Sequence, residues 1–168
     1  YWDYYCRTGE KYRNHILQHR SLTDKICFAG GAWKWSGYAP LLDHSLLAGR
    51  LALEQCLEQG IGQVMLTAWG DDGAEASLWV VLPIMQLYAE CCYRGTAQVP
   101  EEVLSQRLAA CTGMSWQWLM ATSRINYIPG NPAPGKLSSG PAKYLLYQDP
   151  MLGLFDCHVP PDAPDYFR

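Results

Sequence analysis

Ile61-Gly62-Gln63-Val64-Met65-Leu66-Thr67-Ala68-Trp69-Gly70-Asp71-Asp72-Gly73-Ala74-Glu75 decides the fold class of this chain. The apolar run from Ile61 to Ala68 reads as a short buried strand, and Gly70 and Gly73 break it into a turn. A buried parallel strand that ends in an aromatic and carboxylates suits a sugar site. The flat indole of Trp69 can cover the apolar face of a pyranose, and the acids can accept hydrogen bonds from its hydroxyls.

Working outward, strand and helix patterns alternate. Upstream, Asp43 to Gln59 predicts an amphipathic helix with Leu46, Leu53 and Leu57 on one face, widened by Leu47 and Leu51 and stopped by Gly60. Lys25 to Ala32 predicts a strand ending in Gly30-Gly31, and Glu10 to Leu22 a helix with Tyr12, Ile16 and His19 at helical spacing. Tyr1 to Tyr5 reads as the end of a further strand, and Ser77 to Tyr93 as a third helix. Three such βα units imply an α/β fold with a parallel sheet covered by helices. Three parallel strands cannot close a barrel, and an open sheet of three leaves both edges unpaired. The expectation is therefore the C-terminal portion of a larger TIM (β/α)₈ barrel, its last three units, over residues 1–95.

After Gly95 the pattern changes. Pro100 to Cys111 predicts a helix with Pro at its start and Glu101 and Glu102 in its first turn, where acids suit the helix dipole. Ser115 to Arg124 predicts another. The turn-rich stretch Pro129 to Gly135 and the segment Lys143 to Pro150 complete a mostly helical extension, residues 96–168. Trp116 and Trp118 read as core residues of that extension.

The 168 residues are 49% hydrophobic and 17% charged, enough to fill a core, and carry a net charge of -3 without any block of like charges. That balance gives no reason to expect nucleic acid or an anionic membrane as partner. No apolar stretch approaches the roughly 20 residues needed to cross a bilayer. Seven cysteines form no CxxC pair and no metal-ligand spacing with the four histidines, and they read as reduced, mostly buried thiols in a cytoplasmic setting. His15 and His19 stand four apart, as metal ligands can, but without a third ligand near in sequence they read as a solvated helix face. His44 reads as part of the turn that starts the helix at Asp43.

Four segments together resemble a known family: Tyr1-Trp2-Asp3-Tyr4-Tyr5, Phe28 to Trp35, Thr67 to Glu75, and Lys143 to Asp156. In this order they resemble the retaining β-N-acetylhexosaminidases of glycoside hydrolase family 20, in the bacterial branch that cleaves N-acetylglucosaminides. The resemblance implies a barrel with its site at the C-terminal strand ends. It also implies substrate-assisted catalysis, in which the sugar's 2-acetamido oxygen attacks the anomeric carbon, with no metal or organic cofactor. The family's catalytic Asp-Glu pair belongs to the fourth strand and is expected upstream of this chain, so the segment by itself is expected to be inactive.

On the same resemblance, Trp69 would lie under the sugar and Asp71 would bind its 4- and 6-hydroxyls. Trp33 and Trp35 would line the acetamide pocket, in place of the Tyr-x-Asp that many members carry there. Trp2 and Asp3 would end the sixth strand, and Asp72 and Glu75 would be further contacts. The partners implied are N-acetylhexosamine-terminated glycans. Plainer readings stand beside these: Trp69 as a cap on the barrel interior, Asp71 as a turn acid, Glu75 as a cap on the next helix, Asp3 as half of a structural salt bridge and Tyr5 as packing. Two rival functions also remain, a half-barrel that binds N-acetylated sugars without cleaving them and a barrel enzyme holding a metal on Asp71 and Asp72.

Overall fold

The computed structural model describes residues 1–35, 37, 39–71, 73–126, 149, 151–153, 161 and 165. The segments 129–135 and, for the most part, 143–156 lie outside the described residues, as do Asp72 and Cys157. The elements run α1 (Gly9–Arg20), β1 (Cys27–Gly31), α2 (Leu42–Glu58), β2 (Gln63–Thr67), a 3-10 turn (Leu78–Val81) leading into α3 (Leu82–Arg94), α4 (Glu101–Thr112), α5 (Trp116–Thr122) and a closing 3-10 turn (Ser123–Asn126). This is a small α/β arrangement of five helices and a two-stranded sheet among the described residues.

Local chemistry sets most of these boundaries. Thr8 caps α1, its hydroxyl accepting from the Lys11 amide at 3.4 Å. Pro100 caps α4 without needing an amide donor of its own, and Glu101 and Glu102 follow in the first turn. The helices α3 and α4 end at Gly95 and Gly113, both in the left-handed conformation that glycine adopts without steric cost.

β1 and β2 pair in parallel, Cys27 opposite Gln63 through Gly31 opposite Thr67. On the other side of β1, Trp2 pairs in parallel with Ala29, through Asp3 N–H to Ala29 at 3.0 Å and Ala29 N–H to Tyr1 at 2.9 Å. Three stretches of chain therefore lie side by side in sequence order, all pointing the same way.

The helices cover one face of this sheet. Phe28 packs edge-on against Tyr12 of α1 at 6.1 Å, and Val64 and Leu66 pack into the core formed with α2 and α3. Tyr88 of α3 approaches so closely that a Cβ at Gly30 would lie 1.9 Å from its hydroxyl, which only glycine permits. On the opposite face Trp2 is 66% exposed and Met65 55% exposed.

Two expectations are corrected here. β2 is half exposed along its length rather than buried, because nothing among the described residues lies against its inner face or its free edge. And α2 turns only part of its leucine stripe inward. Its buried face is Ala48, Gly49, Ala52, Leu53 and Cys56, while Leu47 and Leu57 are exposed and Leu46 and Leu51 lie half-buried. Small residues let the helix approach the sheet and α3 closely: a Cβ at Gly49 would meet the Tyr88 ring at 3.2 Å.

The main core crosses residue 95 without a break. Leu42 and Leu53 of α2, Ile84 and Leu87 of α3, Leu104 and Leu108 of α4, and Trp116 and Leu119 of α5 form one cluster. Trp116 is buried, its indole N–H donating to Glu101 at 3.0 Å, whereas Trp118 is 82% exposed and is not a core residue. Of the six described cysteines, all free, Cys6, Cys56 and Cys91 are buried and Cys27, Cys92 and Cys111 are exposed, so the thiols are less uniformly buried than their apolar context predicts. No helix among the described residues is long and apolar enough to cross a membrane.

Candidate functional site

Because the three stretches are parallel, their carboxyl ends share one edge of the sheet, and the chain leaves each end with aromatics. Tyr4 and Tyr5 follow Asp3, Trp33 and Trp35 follow β1, and Trp69 and Asp71 follow β2. The Trp33 and Trp35 rings stack at 5.0 Å with planes 10° apart. Tyr4 meets Trp35 edge-on at 4.8 Å, and Tyr5 meets Trp33 edge-on at 5.3 Å. These edge contacts place hydrogen-bearing ring edges against π faces, the preferred arrangement for aromatic pairs.

The loop carrying the two tryptophans is fastened at several points. Ala32 N–H extends the pairing to Thr67 at 2.8 Å. Trp33 N–H then donates to the Ser45 hydroxyl at 2.8 Å, which itself donates to Leu41 at 2.8 Å, and Leu41 N–H returns to Trp33 at 2.7 Å. The loop closes against the first turn of α2, and the backbone groups of Trp33 and Leu41 are paired there although both residues are buried. From the other side, Leu42 N–H donates to Ser123 at 2.9 Å, and the Asn126 amide donates to the carbonyls of Ala39 and Pro40. The helical extension thus holds the loop that carries Trp33 and Trp35.

Trp69 is 43% exposed, and its carbonyl accepts from the buried Lys34 ammonium at 3.2 Å, which joins the two strand ends. Tyr4 links the aromatic pair to this second end. Burial pushes its phenol up to about 12, helped by its hydrogen bond to Tyr5 and by the negative charge of Asp71, while a hydrogen bond with the Trp69 side chain pulls the other way. Asp71 is exposed and begins a turn closed by Ala74 N–H at 3.2 Å, with Gly73 and Ala74 both at positive φ. Glu75 is exposed, its carboxylate folded back over Gly73; the residue that caps the next 3-10 turn is Ser77, whose hydroxyl accepts from Trp79 N–H at 3.3 Å. Asp72 lies outside the described residues.

The structure therefore brings Trp33, Trp35, Trp69 and Asp71 to one edge. Trp2 lies on the uncovered face of the sheet, exposed. Asp3 is set apart, because its carboxylate turns to the helix-covered side. Its Oδ1 accepts from the amides of Tyr5 at 2.8 Å and Cys6 at 3.3 Å, and its Oδ2 from the Tyr1 hydroxyl at 2.8 Å. Burial raises the Asp3 carboxyl, but these donors outweigh it and hold the group below its ordinary value. His15 Nδ1 stands 3.3 Å from Oδ2, so His15 belongs to this cluster rather than to a solvated face.

Sequence reasoning missed four participants. Tyr4 could have been found from the strand period of two, which puts it on the same face as Trp2. Lys34, Ser45 and His44 carry no such signal. His44 is buried in the first turn of α2, where its Nε2–H donates to the Tyr4 carbonyl at 2.7 Å and its ring meets Trp33 edge-on at 4.9 Å. Burial lowers its pKa, so it is the neutral imidazole that braces the backbone of Tyr4. The described cavity lined by Leu53, Cys56, Ile61, Val64 and Cys91, about 210 Å³, opens at the amino end of β2, away from this cluster.

These features define a parallel α/β unit with aromatic and acidic residues gathered at its strand ends. Residues 117–168 match the family model of the Glycoside Hydrolase 20C C-terminal domain. The match supports a relationship of this chain to glycoside hydrolase family 20, the family its sequence motifs resemble. No curated protein matches the chain.

Proposed function

We propose that this chain is the C-terminal part of a retaining β-N-acetylhexosaminidase, with residues 1–95 forming the last three units of its (β/α)₈ barrel and residues 96–168 a helical extension packed on them. The observation that carries the reading is the convergence of Trp33, Trp35, Trp69 and Asp71 at the carboxyl edge of parallel strands, in a chain whose C-terminal part matches a glycoside hydrolase domain. Placement of α1, α2 and α3 on one sheet face supports the barrel. Consecutive right-handed crossovers between neighbouring parallel strands put every helix outside, and the other face becomes the barrel interior.

In this reading Trp69 lies under the pyranose and Asp71 accepts from its distal hydroxyls. Trp33 and Trp35 wall the acetamide pocket, with the Tyr4 and Tyr5 rings packed edge-on against them. Asp3 acts through the backbone of Tyr5 rather than on the sugar, and the Asp-Glu pair is supplied upstream. The acetamide is the nucleophile, so neither metal nor organic cofactor takes part. The substrates are glycans ending in β-linked N-acetylhexosamine.

The test compares the intact protein on an aryl β-N-acetylglucosaminide and on the matching β-glucoside. Cleavage of the first with retained anomeric configuration, and none of the second, is expected, since the glucoside lacks the nucleophile. Equal cleavage of both would remove substrate assistance. Binding of N-acetylglucosamine without any cleavage would favour the non-catalytic sugar-binding module, which the same aromatics would serve.

A further inference from the structure

On the helix-covered side of the sheet, away from the aromatic edge, three polar side chains converge on Asp3 Oδ2. The Tyr1 hydroxyl lies 2.8 Å away, the Cys6 thiol 3.2 Å and His15 Nδ1 3.3 Å, and the Tyr1 hydroxyl is also 3.1 Å from His15 Nδ1. A carboxylate oxygen offers about two lone-pair sites, and Oδ1 is already taken by the amides of Tyr5 and Cys6. Hydrogen bonds satisfy the group when His15 Nδ1–H donates to the Tyr1 oxygen and the Tyr1 hydroxyl and Cys6 thiol donate to Oδ2. The same convergence of an imidazole nitrogen, a thiol and a carboxylate oxygen is also a ligand set for a cation.

We propose that Asp3, Cys6 and His15 form a metal site for Zn²⁺ or a similar borderline divalent ion. The three ligand atoms lie within 4.8 Å of one another. With Zn–O and Zn–N near 2.0 Å and Zn–S near 2.3 Å, a tetrahedral ion needs O···N and O···S edges of about 3.3 and about 3.5 Å. The two edges at Oδ2, 3.3 and 3.2 Å, are close to these values, and the Sγ···Nδ1 edge, within 4.8 Å, closes toward about 3.5 Å on binding. The donor set is also the right chemistry, since mixed imidazole, thiolate and carboxylate ligands favour zinc over magnesium or calcium. Oδ1 is held by two backbone amides, which fixes the orientation of Oδ2 in the way outer hydrogen bonds fix metal-bound carboxylates.

The Tyr1 hydroxyl sits at the fourth position, or yields it to water, and the His15 side chain, 42% exposed, leaves an entry path. Such an ion would tie the turn after Asp3 to α1 and so fix Tyr4 and Tyr5 at the aromatic edge. Its role is structural. The sequence hid it because Asp3-x-x-Cys6 and His15 come from different elements.

The experiment takes the full protein, stripped with a chelator, and titrates it with Zn²⁺ alone by calorimetry and with Co²⁺ by absorption. Expected are one equivalent bound, a thiolate-to-cobalt charge-transfer band and a raised melting temperature. Cys6→Ser should abolish the band and His15→Gln should weaken binding by about 10–100-fold, while Cys27→Ser leaves both unchanged. His15→Gln lies on the surface of α1 and keeps the test decisive if Cys6→Ser fails to fold. Absence of stoichiometric binding, binding unaltered by His15→Gln, or a band that disappears with Cys27→Ser would each overturn the site.

Discussion

Gly31 and His44 show how single residues hold the aromatic edge together. A Cβ at Gly31 would lie 2.7 Å from the Tyr4 ring and 2.8 Å from the Trp35 ring, both already buried. Gly31→Ala should therefore overpack the cluster and cost about 1–3 kcal/mol, read as a lowered denaturation midpoint. His44 makes a pH prediction. Its folded pKa is lowered, so as pH falls below about 6.5 the unfolded chain takes up the proton first. The unfolded state then binds more protons, and stability falls with decreasing pH from that point down through the lowered folded pKa. His44→Gln, which keeps an N–H for the Tyr4 carbonyl, should flatten this slope in chemical denaturation measured between pH 7 and 5. An unchanged slope would show that His44 is not the group whose protonation destabilises the fold. At this scale the sequence was half legible: Trp33, Trp35, Trp69 and Asp71 announce themselves by type and by position at strand ends. Their supports do not, because a serine, a lysine and a histidine acquire those roles only through contacts distant in the chain.

Among the elements, α2 shows where periodicity misleads. Of its stripe Leu53 is buried and Leu46 half-buried, but Leu57 is exposed, and the buried face is completed by Ala48, Gly49 and Ala52, because close approach needs small side chains. Ala52→Leu should cost about 1–3 kcal/mol, whereas Leu47→Ala, at an exposed position, should cost far less. Comparison of the two midpoints checks the assignment directly. The closing 3-10 turn carries a second prediction. Asn126→Ala deletes the buried donors that serve the carbonyls of Ala39 and Pro40, at about 1–3 kcal/mol. In the proposed enzyme it should also raise KM more than it lowers kcat, since it loosens the loop behind Trp33 and Trp35. Strand–helix alternation was readable from the sequence to within a few residues at most ends. The single parallel bridge at Trp2, the short β1 and the exposure of β2 depend on contacts distant in the chain, which no local pattern encodes.

For the whole molecule, the decisive feature is a parallel sheet with helices on one face and Trp2 and Met65 exposed on the other. Parallel sheets are ordinarily covered on both faces. The 168-residue chain on its own should accordingly bind a hydrophobic dye strongly, and the intact protein should bind little. Equal dye binding would show that the proposed barrel does not close over this face. The central claim is that the same sheet presents a sugar floor at its carboxyl edge, and kcat/KM of the intact protein on an aryl β-N-acetylglucosaminide tests it most directly. Trp69→Ala should lower kcat/KM by an amount equivalent to roughly 1–3 kcal/mol of transition-state binding while the fold is retained. A value of kcat/KM equal to that of the unmodified protein would contradict the account.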